Sequence, residues 1–200
     1  RSCEKAGTVR AVVLTSSVAA VFSSDKPTGH VFSRLDWNTT STIENGEAYR
    51  LSKAEAERAA WSFVDGKTLP LLSSVCPSVV LGPQLSRRAD SQSLEWFGTA
   101  VVAEPSGPTM FSNGAPVTDV RDVAEVHVRL GERLLALAAD PSASRPTREN
   151  GRYLCTSERR FTAADIVQSL KKSGKVSHDP VPEKVCVCVS CCCCCCCCCY

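Results

Sequence analysis

Residues 9–17 read Val-Arg-Ala-Val-Val-Leu-Thr-Ser-Ser, a short β-branched apolar run that ends in hydroxyl side chains. A run that is apolar on both faces is typical of a central strand in a parallel sheet. Leu69 to Val75 is a second such run. Between the two lie a polar stretch, Ser23 to Gly46, and a helical pattern from Glu47 to Val64. This order of strand, long loop, helix and strand predicts a βαβ crossover, and therefore an α/β fold.

The helix is expected to turn a face of small residues toward the sheet, because small side chains allow close approach. The residues on that predicted face are Ala48, Ser52, Ala56, Ala59, Ala60 and Phe63.

The remainder of the chain predicts two more helices and a short strand. One helix begins after Asp119 or Asp122, either of which can cap it. Its predicted apolar stripe is Val123, Val126, Leu130, Leu134 and Leu137. Residues 152–156 are expected to form a strand. Thr162-Ala-Ala-Asp165 has the pattern of a capping box and predicts a last helix, which Gly174 ends.

Composition restricts the partners. The formal charge is +2 with no dense basic stripe, so we expect no nucleic-acid binding. No apolar stretch is long enough to span a bilayer, so we expect no membrane association. Only three of the 14 cysteines, Cys3, Cys76 and Cys155, lie in the body of the chain, which favours a reducing compartment, the cytoplasm. The others fall within residues 179–200, predicted to be a disordered low-complexity tail rather than a disulfide framework or a metal site.

Tyr49 and Lys53 are the first candidate for chemistry. Four residues apart on the predicted helix, they share a face. A phenol transfers protons poorly near neutral pH unless a positive charge is held beside it, and an adjacent ammonium supplies that charge. Spacing alone also fits an exposed helical pair.

Two further features belong to the same predicted edge of the sheet. Ser16 and Ser17 follow the first strand, and Pro77 with its neighbours follows the second. Open α/β sheets bind ligands at the carboxyl ends of their strands, so we expect these residues and the tyrosine to meet in one crevice.

The motifs resemble, in order, those of one enzyme family. They are Thr15-Ser-Ser-Val-Ala-Ala-Val21, Tyr49-Arg-Leu-Ser-Lys53 with Ala56-Glu-Arg-Ala-Ala-Trp61, Pro77-Ser-Val-Val-Leu-Gly-Pro83, Val120-Arg-Asp-Val-Ala124 with His127, and Gly151-Arg-Tyr-Leu154. The set is similar to that of extended short-chain dehydrogenases/reductases of the NAD-dependent epimerase/dehydratase superfamily. The nearest subgroup is that of dihydroflavonol and cinnamoyl-CoA reductases.

The resemblance implies a Rossmann-type fold and a function. Tyr49 would be the general acid–base, Lys53 would bind the nicotinamide ribose, and Ser17 would hydrogen-bond the substrate oxygen. Pro77, Ser78 and Val79 would line the nicotinamide. The implied activity is NADP-dependent oxidoreduction, with NAD as the alternative cofactor, on the CH–OH or carbonyl group of an aldehyde, ketone, dihydroflavonol or CoA ester. A monomer or homodimer is expected.

The chain departs from the family pattern at the phosphate-binding turn. None of the 11 glycines is spaced as Gly-x-x-Gly-x-x-Gly, the turn that cradles a pyrophosphate. We therefore expect an N-terminally truncated reductase. The alternatives that stay open are a non-catalytic fragment or pseudo-enzyme, a sugar-nucleotide epimerase/dehydratase, and a hydroxysteroid dehydrogenase.

The implied domain organisation has three parts. Residues 1–82 would be the second half of the dinucleotide-binding domain. Residues 83–178 would be segments of a substrate domain, with a returning Rossmann element near 115–124. Residues 179–200 are the tail described above.

Overall fold

The computed structural model describes residues 2–83, 91, 93 and 114–174. The predicted cysteine-rich tail, residues 179–200, lies outside them. The chain divides into two compact units. The first comprises the residues up to Ser78 together with Asp122–Cys155, and the second comprises Val79–Arg121 and the residues from Thr156 onward. The domain boundary inferred from the family pattern stays a prediction.

The described part of the chain contains both helices and strands. They are α1 (Ser2–Ala6), β1 (Ala11–Thr15), a 3-10 helix (Val18–Ala20), α2 (Ala48–Val64), β2 (Leu71–Pro77), β3 (Val79–Leu81), β4 (Ala115–Asp119), α3 (Val120–Ala139), β5 (Arg152–Cys155), β6 (Arg160–Phe161) and α4 (Ala163–Lys172).

The first unit is built on a parallel sheet with the strand order β1-β2-β5. In the register of its strands, Thr15 lies opposite Val75, and Pro77 lies opposite Cys155. Since α2 connects β1 to the parallel strand β2, the predicted βαβ crossover is confirmed. Gly66, just beyond the helix, has a φ of 69°, a conformation that favours glycine.

The inward face of α2 differs from the prediction. The residues expected to face the sheet are exposed or only partly buried, whereas Ala54, Glu57 and Trp61 are buried. The predicted face was therefore wrong. Glu57 has no place on a face predicted from small and apolar side chains, because an isolated carboxylate is costly to bury in a core. In the structure a charged residue of β5, Arg152, pairs with Glu57 and offsets the cost of burying it.

Helix α3 buries the stripe that its periodicity predicts. Leu130 and Leu134 are buried, at 6% and 1% exposure. Leu130 packs with Val75 of β2 and Cys155 of β5 in a core cluster. Partly buried side chains complete the cluster: Val13, Val123, Val126 and Tyr153. The helix thus covers one face of the parallel sheet.

In the second unit, β3 pairs with β4 in parallel and β4 pairs with β6 in antiparallel orientation. The predicted capping box of α4 is present, because the Thr162 hydroxyl accepts from the Asp165 N–H while the Asp165 carboxylate accepts from the Thr162 N–H. Asp119 accepts from the N–H of Arg121 at the start of α3, so of the two aspartates predicted to cap this helix it is Asp119 that does so.

Among the described helices, none combines the length and the apolar character that crossing a bilayer requires. In the same part of the chain, no cluster of three or more His, Cys, Asp or Glu side chains is placed to hold a metal ion.

Two glycines give opposite predictions for substitution by alanine. A Cβ at Gly151 would lie 2.6 Å from Cη2 of Trp61 and 2.8 Å from the backbone oxygen of Thr147. A Cβ at Gly131, inside α3, would meet nothing within 4 Å. Gly151→Ala is expected to lower the free energy of unfolding by about 1–3 kcal/mol through overpacking. Gly131→Ala should raise it by about 0.5–1 kcal/mol, because alanine favours the helix.

Urea unfolding of the two variants and the wild type measures both changes. A Gly151→Ala variant as stable as the wild type would contradict the packing described around Gly151, and a destabilised Gly131→Ala variant would contradict the open space at Gly131.

Candidate active site

The carboxyl ends of β1, β2 and β5 lie at one edge of the sheet because the three strands are parallel. The backbone pairing extends one residue beyond two of these ends. The N–H of Ser16 donates to the carbonyl of Val75 at 2.7 Å, and the N–H of Ser78 donates to the carbonyl of Cys155 at 3.0 Å. The segments with Ser17 and Pro77 therefore leave the sheet at the edge where open α/β sheets bind ligands.

Ser17 begins the 3-10 helix as its N-cap residue. Its hydroxyl oxygen accepts a hydrogen bond from the N–H of Ala19 at 3.1 Å, and its carbonyl accepts from the N–H of Ala20 at 3.0 Å. The side chain is half-buried. A hydroxyl that accepts from the backbone retains its own proton for donation, so the local structure orients Ser17 as a donor.

Tyr49 and Lys53 lie in the first turns of α2, on one face as predicted. The Lys53 Nζ is 5.8 Å from the centroid of the Tyr49 ring, and the Tyr49 side chain is half exposed, at 50%. Helix α2 packs against the 3-10 helix that Ser17 begins. Within the described residues, no hydrogen bond joins the Tyr49 hydroxyl to Ser17 or to Lys53. The structure thus places the three residues on two packed elements, with no hydrogen bond between Ser17 and the pair among the described residues.

The segment expected to line a nicotinamide is buried at the end of β2. Pro77 is the last residue of that strand and pairs with Cys155. Ser78 is 9% exposed and Val79, the first residue of β3, is 8% exposed. Their proposed contacts with a cofactor stay predictions.

A buried polar cluster lies beneath this edge, on the inward face of α2. Glu57 is fully buried, and its carboxylate accepts hydrogen bonds from two serine hydroxyls. Ser16 reaches Oε2 at 2.8 Å from the end of β1, and Ser74 of β2 reaches Oε1. One carboxylate therefore connects α2 to two neighbouring strands.

Arg152, the first residue of β5, forms an ion pair with this carboxylate and is also fully buried. Its Nε donates to Oε1 of Glu57 at 2.9 Å and its Nη2 donates to Oε2 at 3.2 Å. Its Nη1 donates to the carbonyls of Arg34 and Asp36 at 2.7 and 2.8 Å. The guanidinium also stacks 3.6 Å from the centroid of the Trp37 ring. The long loop between β1 and α2 is thus attached to the sheet through one side chain.

The electrostatics of the cluster favour an ionised Glu57. Burial by itself would raise the pKa of Glu57, but hydrogen bonds from Arg152 and Ser74 and the charge of Arg152 outweigh it and lower the pKa. Cys76 has the opposite outcome: burial and the adjacent Glu57 charge raise the pKa of its thiol to about 12. Cys76 therefore remains a thiol at neutral pH and lacks the thiolate that nucleophilic chemistry requires.

A second carboxylate organises the outer part of the loop. Asp36 accepts from the N–H and hydroxyl of Ser33 and from His30, and it forms an ion pair with Lys26 at 3.3 Å. Burial opposes ionisation, but these hydrogen bonds lower the pKa of Asp36 to about 2.

His127 proves to be a packed histidine that hydrogen-bonds at both ring nitrogens. Its Nδ1 is 2.7 Å from the carbonyl of Val123, which can only accept, so Nδ1 donates. In the neutral ring Nε2 then accepts from the hydroxyl of Thr15, 2.7 Å away. This contact fixes the last residue of β1 against α3.

The residues of the buried cluster were not among the predicted site residues. A signal for them was present in the sequence, since Glu57 follows Tyr49 and Lys53 at successive four-residue steps, which places it on the same helical face. Arg152 is a charged residue in a predicted strand, which requires a partner when buried. The pairing itself, across 95 positions of the chain, had no local signal.

No family model matches the chain, but curated proteins and solved structures do. It is 31% identical to the NADPH-dependent methylglyoxal reductase of Saccharomyces cerevisiae over 88% of this chain and 52% of that protein. It is 33% identical to a cinnamoyl-CoA reductase of Medicago truncatula over 64% and 38%, respectively. The structure of the yeast methylglyoxal/isovaleraldehyde reductase complexed with NADPH matches with a TM-score of 0.63 at 29% identity, over 88% of this chain and 51% of that one.

These relatives and structural neighbours are extended short-chain dehydrogenases/reductases, so the resemblance that the motifs carry is confirmed over the sequence that they share with this chain. The Rossmann-type fold that the motifs implied is confirmed by these structural neighbours. The chain spans about half the length of the curated relatives it matches: 38% of the cinnamoyl-CoA reductase and 52% of the methylglyoxal reductase.

Removing Arg152 should destabilise the protein strongly. Arg152→Met leaves the Glu57 charge buried without its partner, and such a change costs about 3–5 kcal/mol. Arg129→Met is the matched control, because it removes an exposed arginine that pairs with Glu125 on the surface of α3; its effect should be negligible. Urea unfolding compares the two, and equal losses of stability would contradict the role assigned to the buried pair.

The lowered pKa of Glu57 predicts a pH dependence of stability. The unfolded chain binds a proton to this group near its ordinary pKa of 4.5, while the folded protein binds it only at lower pH. Glu57 therefore contributes stability above that value, and the contribution is lost as the pH falls toward the folded pKa.

Glu57→Gln should accordingly show a shallower fall in the free energy of unfolding than the wild type as the pH is lowered below 4.5. Urea unfolding at a series of acid pH values measures both slopes. Identical slopes would show that Glu57 does not titrate differently in the two states.

Proposed function

We propose that this chain carries the proton-transfer site of an NADP-dependent oxidoreductase that acts on the carbonyl or CH–OH group of a small organic molecule. One observation supports it most. The 3-10 helix that Ser17 begins, at the carboxyl edge of a parallel sheet, packs against the helix that carries Tyr49 and Lys53. Relatives over the same residues include an NADPH-dependent methylglyoxal reductase and a cinnamoyl-CoA reductase.

In this proposal each side chain has one task. The Ser17 hydroxyl, held by the N–H of Ala19, donates to the carbonyl oxygen of the substrate and stabilises the charge that develops there. The Tyr49 hydroxyl gives its proton to the same oxygen. Lys53 keeps a positive charge near the phenol and favours the phenolate that remains. In the oxidative direction the same groups act in reverse.

The described residues fit one end of a nicotinamide dinucleotide. Lys53 offers an ammonium to a ribose hydroxyl, and Pro77, Ser78 and Val79 follow the sheet edge where the ring would lie. Bound there, the cofactor would supply or accept the hydride. The sequence has no Gly-x-x-Gly-x-x-Gly turn for the pyrophosphate, so the residues present fit the nicotinamide and its ribose rather than the whole dinucleotide.

The choice of NADP over NAD rests on the NADPH-dependent relatives. The body of the chain holds only three scattered cysteines, Cys3, Cys76 and Cys155, which fits a reducing compartment, and we propose the cytoplasm. The substrate is a small carbonyl compound or the corresponding alcohol. A monomer or homodimer that binds neither nucleic acid nor membrane is part of the same proposal.

Oxidation of NADPH in the presence of methylglyoxal or cinnamaldehyde, followed by absorbance, tests the activity. Tyr49→Phe should lower turnover by about 10²-fold or more, the usual contribution of a general acid. Its fold should be unchanged because the tyrosine is half exposed. Tyr153→Phe is the matched control, since Tyr153 packs in the core cluster with Leu130 of α3 rather than on the helix of the proposed pair, and it should retain wild-type turnover.

Titration with NADPH, followed by its fluorescence, separates the enzyme from a non-catalytic remnant. Micromolar binding supports the enzyme, whereas no binding and no NADPH oxidation by the wild type would leave only the remnant. Full activity of Tyr49→Phe would disprove the role of Tyr49.

A further inference from the structure

We propose that Glu57 is a positioning residue for the candidate active site, and that its hydrogen bond with Ser16 fixes Ser17 relative to Tyr49 and Lys53. The inference rests on the function proposed above. It adds a residue that touches neither substrate nor cofactor and acts through its neighbour.

Helix α2 carries Glu57 together with the proposed catalytic pair. Glu57 lies four residues after Lys53 and eight after Tyr49 on α2. An α-helix is rigid over this length, so a constraint on Glu57 is a constraint on the position of both proposed catalytic groups. The Glu57 side chain is fully buried and makes its contacts within the sheet.

The end of β1 is held in place at Ser16. Ser16 is directly bonded to Ser17, and two hydrogen bonds hold it. Its hydroxyl donates to Oε2 of Glu57 at 2.8 Å, and its N–H donates to the carbonyl of Val75 at 2.7 Å. Only the first of these connects the strand end to the helix of the catalytic pair. Beside the packing of α2 on the 3-10 helix, the Ser16 hydroxyl therefore gives the shortest hydrogen-bonded connection, among the described residues, between Ser17 and the helix of Tyr49 and Lys53 that does not follow the long loop.

The carboxylate of Glu57 has no freedom to rotate. Oε1 accepts from Arg152 Nε and from the Ser74 hydroxyl, and Oε2 accepts from Arg152 Nη2 in addition to Ser16. The Arg152 guanidinium alone therefore bonds to both oxygens and fixes the orientation of the carboxylate. Ser74 adds one bond to it, and Ser16 is the donor that connects it to the end of β1. Precise placement matters for turnover, since a misplacement of about 1 Å can lower the rate roughly 10²-fold.

Ser16 and Ser74 form a matched pair of test positions. Both are buried, at 6% and 0% exposure, and each gives one hydroxyl hydrogen bond to the same carboxylate. Ser16→Ala and Ser74→Ala remove the same group, but only Ser16 adjoins the proposed catalytic serine. We expect Ser16→Ala to lower kcat for NADPH-dependent methylglyoxal reduction about tenfold or more with little change in KM, and Ser74→Ala to leave kcat within about twofold.

A merely structural role would lower the two kcat values alike, in proportion to the loss of thermal stability measured on the same samples. Equal kcat values for the two variants in an active protein would overturn the proposal.

Amide hydrogen exchange, measured by NMR, provides a readout that needs no activity. The N–H groups of Ala19, Ala20 and Val21 bond within the turn that Ser17 begins. Ser16→Ala should accelerate their exchange about tenfold relative to Ser74→Ala at equal global stability. Equal exchange overturns the positioning of Ser17 whether or not the protein reduces a carbonyl. A wild type without NADPH oxidation contradicts the proposed function alone, since the exchange rates still decide whether Glu57 holds the turn.

Discussion

The buried ion pair of Glu57 and Arg152 is the interaction on which the first unit depends. Both side chains are fully excluded from solvent, and transferring two charges out of water costs several kcal/mol for each ion. Such a pair persists only when its remaining hydrogen-bonding groups are satisfied. Here the guanidinium bonds to both carboxylate oxygens and to two loop carbonyls, and two serines complete the carboxylate. The result is a set of fixed distances between helix, sheet and loop that apolar packing alone would leave adjustable.

This arrangement explains how a loop of more than twenty residues can precede the helix of the candidate site without loosening it. The loop base is held by Arg152, and Asn38, only 2% exposed, donates to the carbonyl of Ala19 and to the Ser41 hydroxyl. The outer part exposes Val31 and Leu35, at 84% and 62%. A fixed base and an exposed outer part are typical of a loop that a rigid scaffold positions.

Much of the fold follows from local pattern in the sequence. Apolar runs gave β1 and β2, the 3.6-residue stripe gave α3, and the capping box gave the start of α4, because each depends on neighbours within a few residues. The inward face of α2 did not follow, since its decisive residue is an acid whose partner lies 95 positions away. At the candidate site, the ordered motifs pointed to Ser17, Tyr49 and Lys53. The contacts that hold these residues depend on three strands meeting in space, which no single motif encodes.

The loop attachment has a consequence for how the protein can change over evolutionary time. Arg152 holds the loop through the main-chain carbonyls of Arg34 and Asp36 rather than through their side chains. Every amino acid provides such a carbonyl, so substitutions at Arg34 leave that part of the anchor chemically intact. Position 34 can therefore acquire new side chains while the attachment of the loop to the sheet is inherited unchanged.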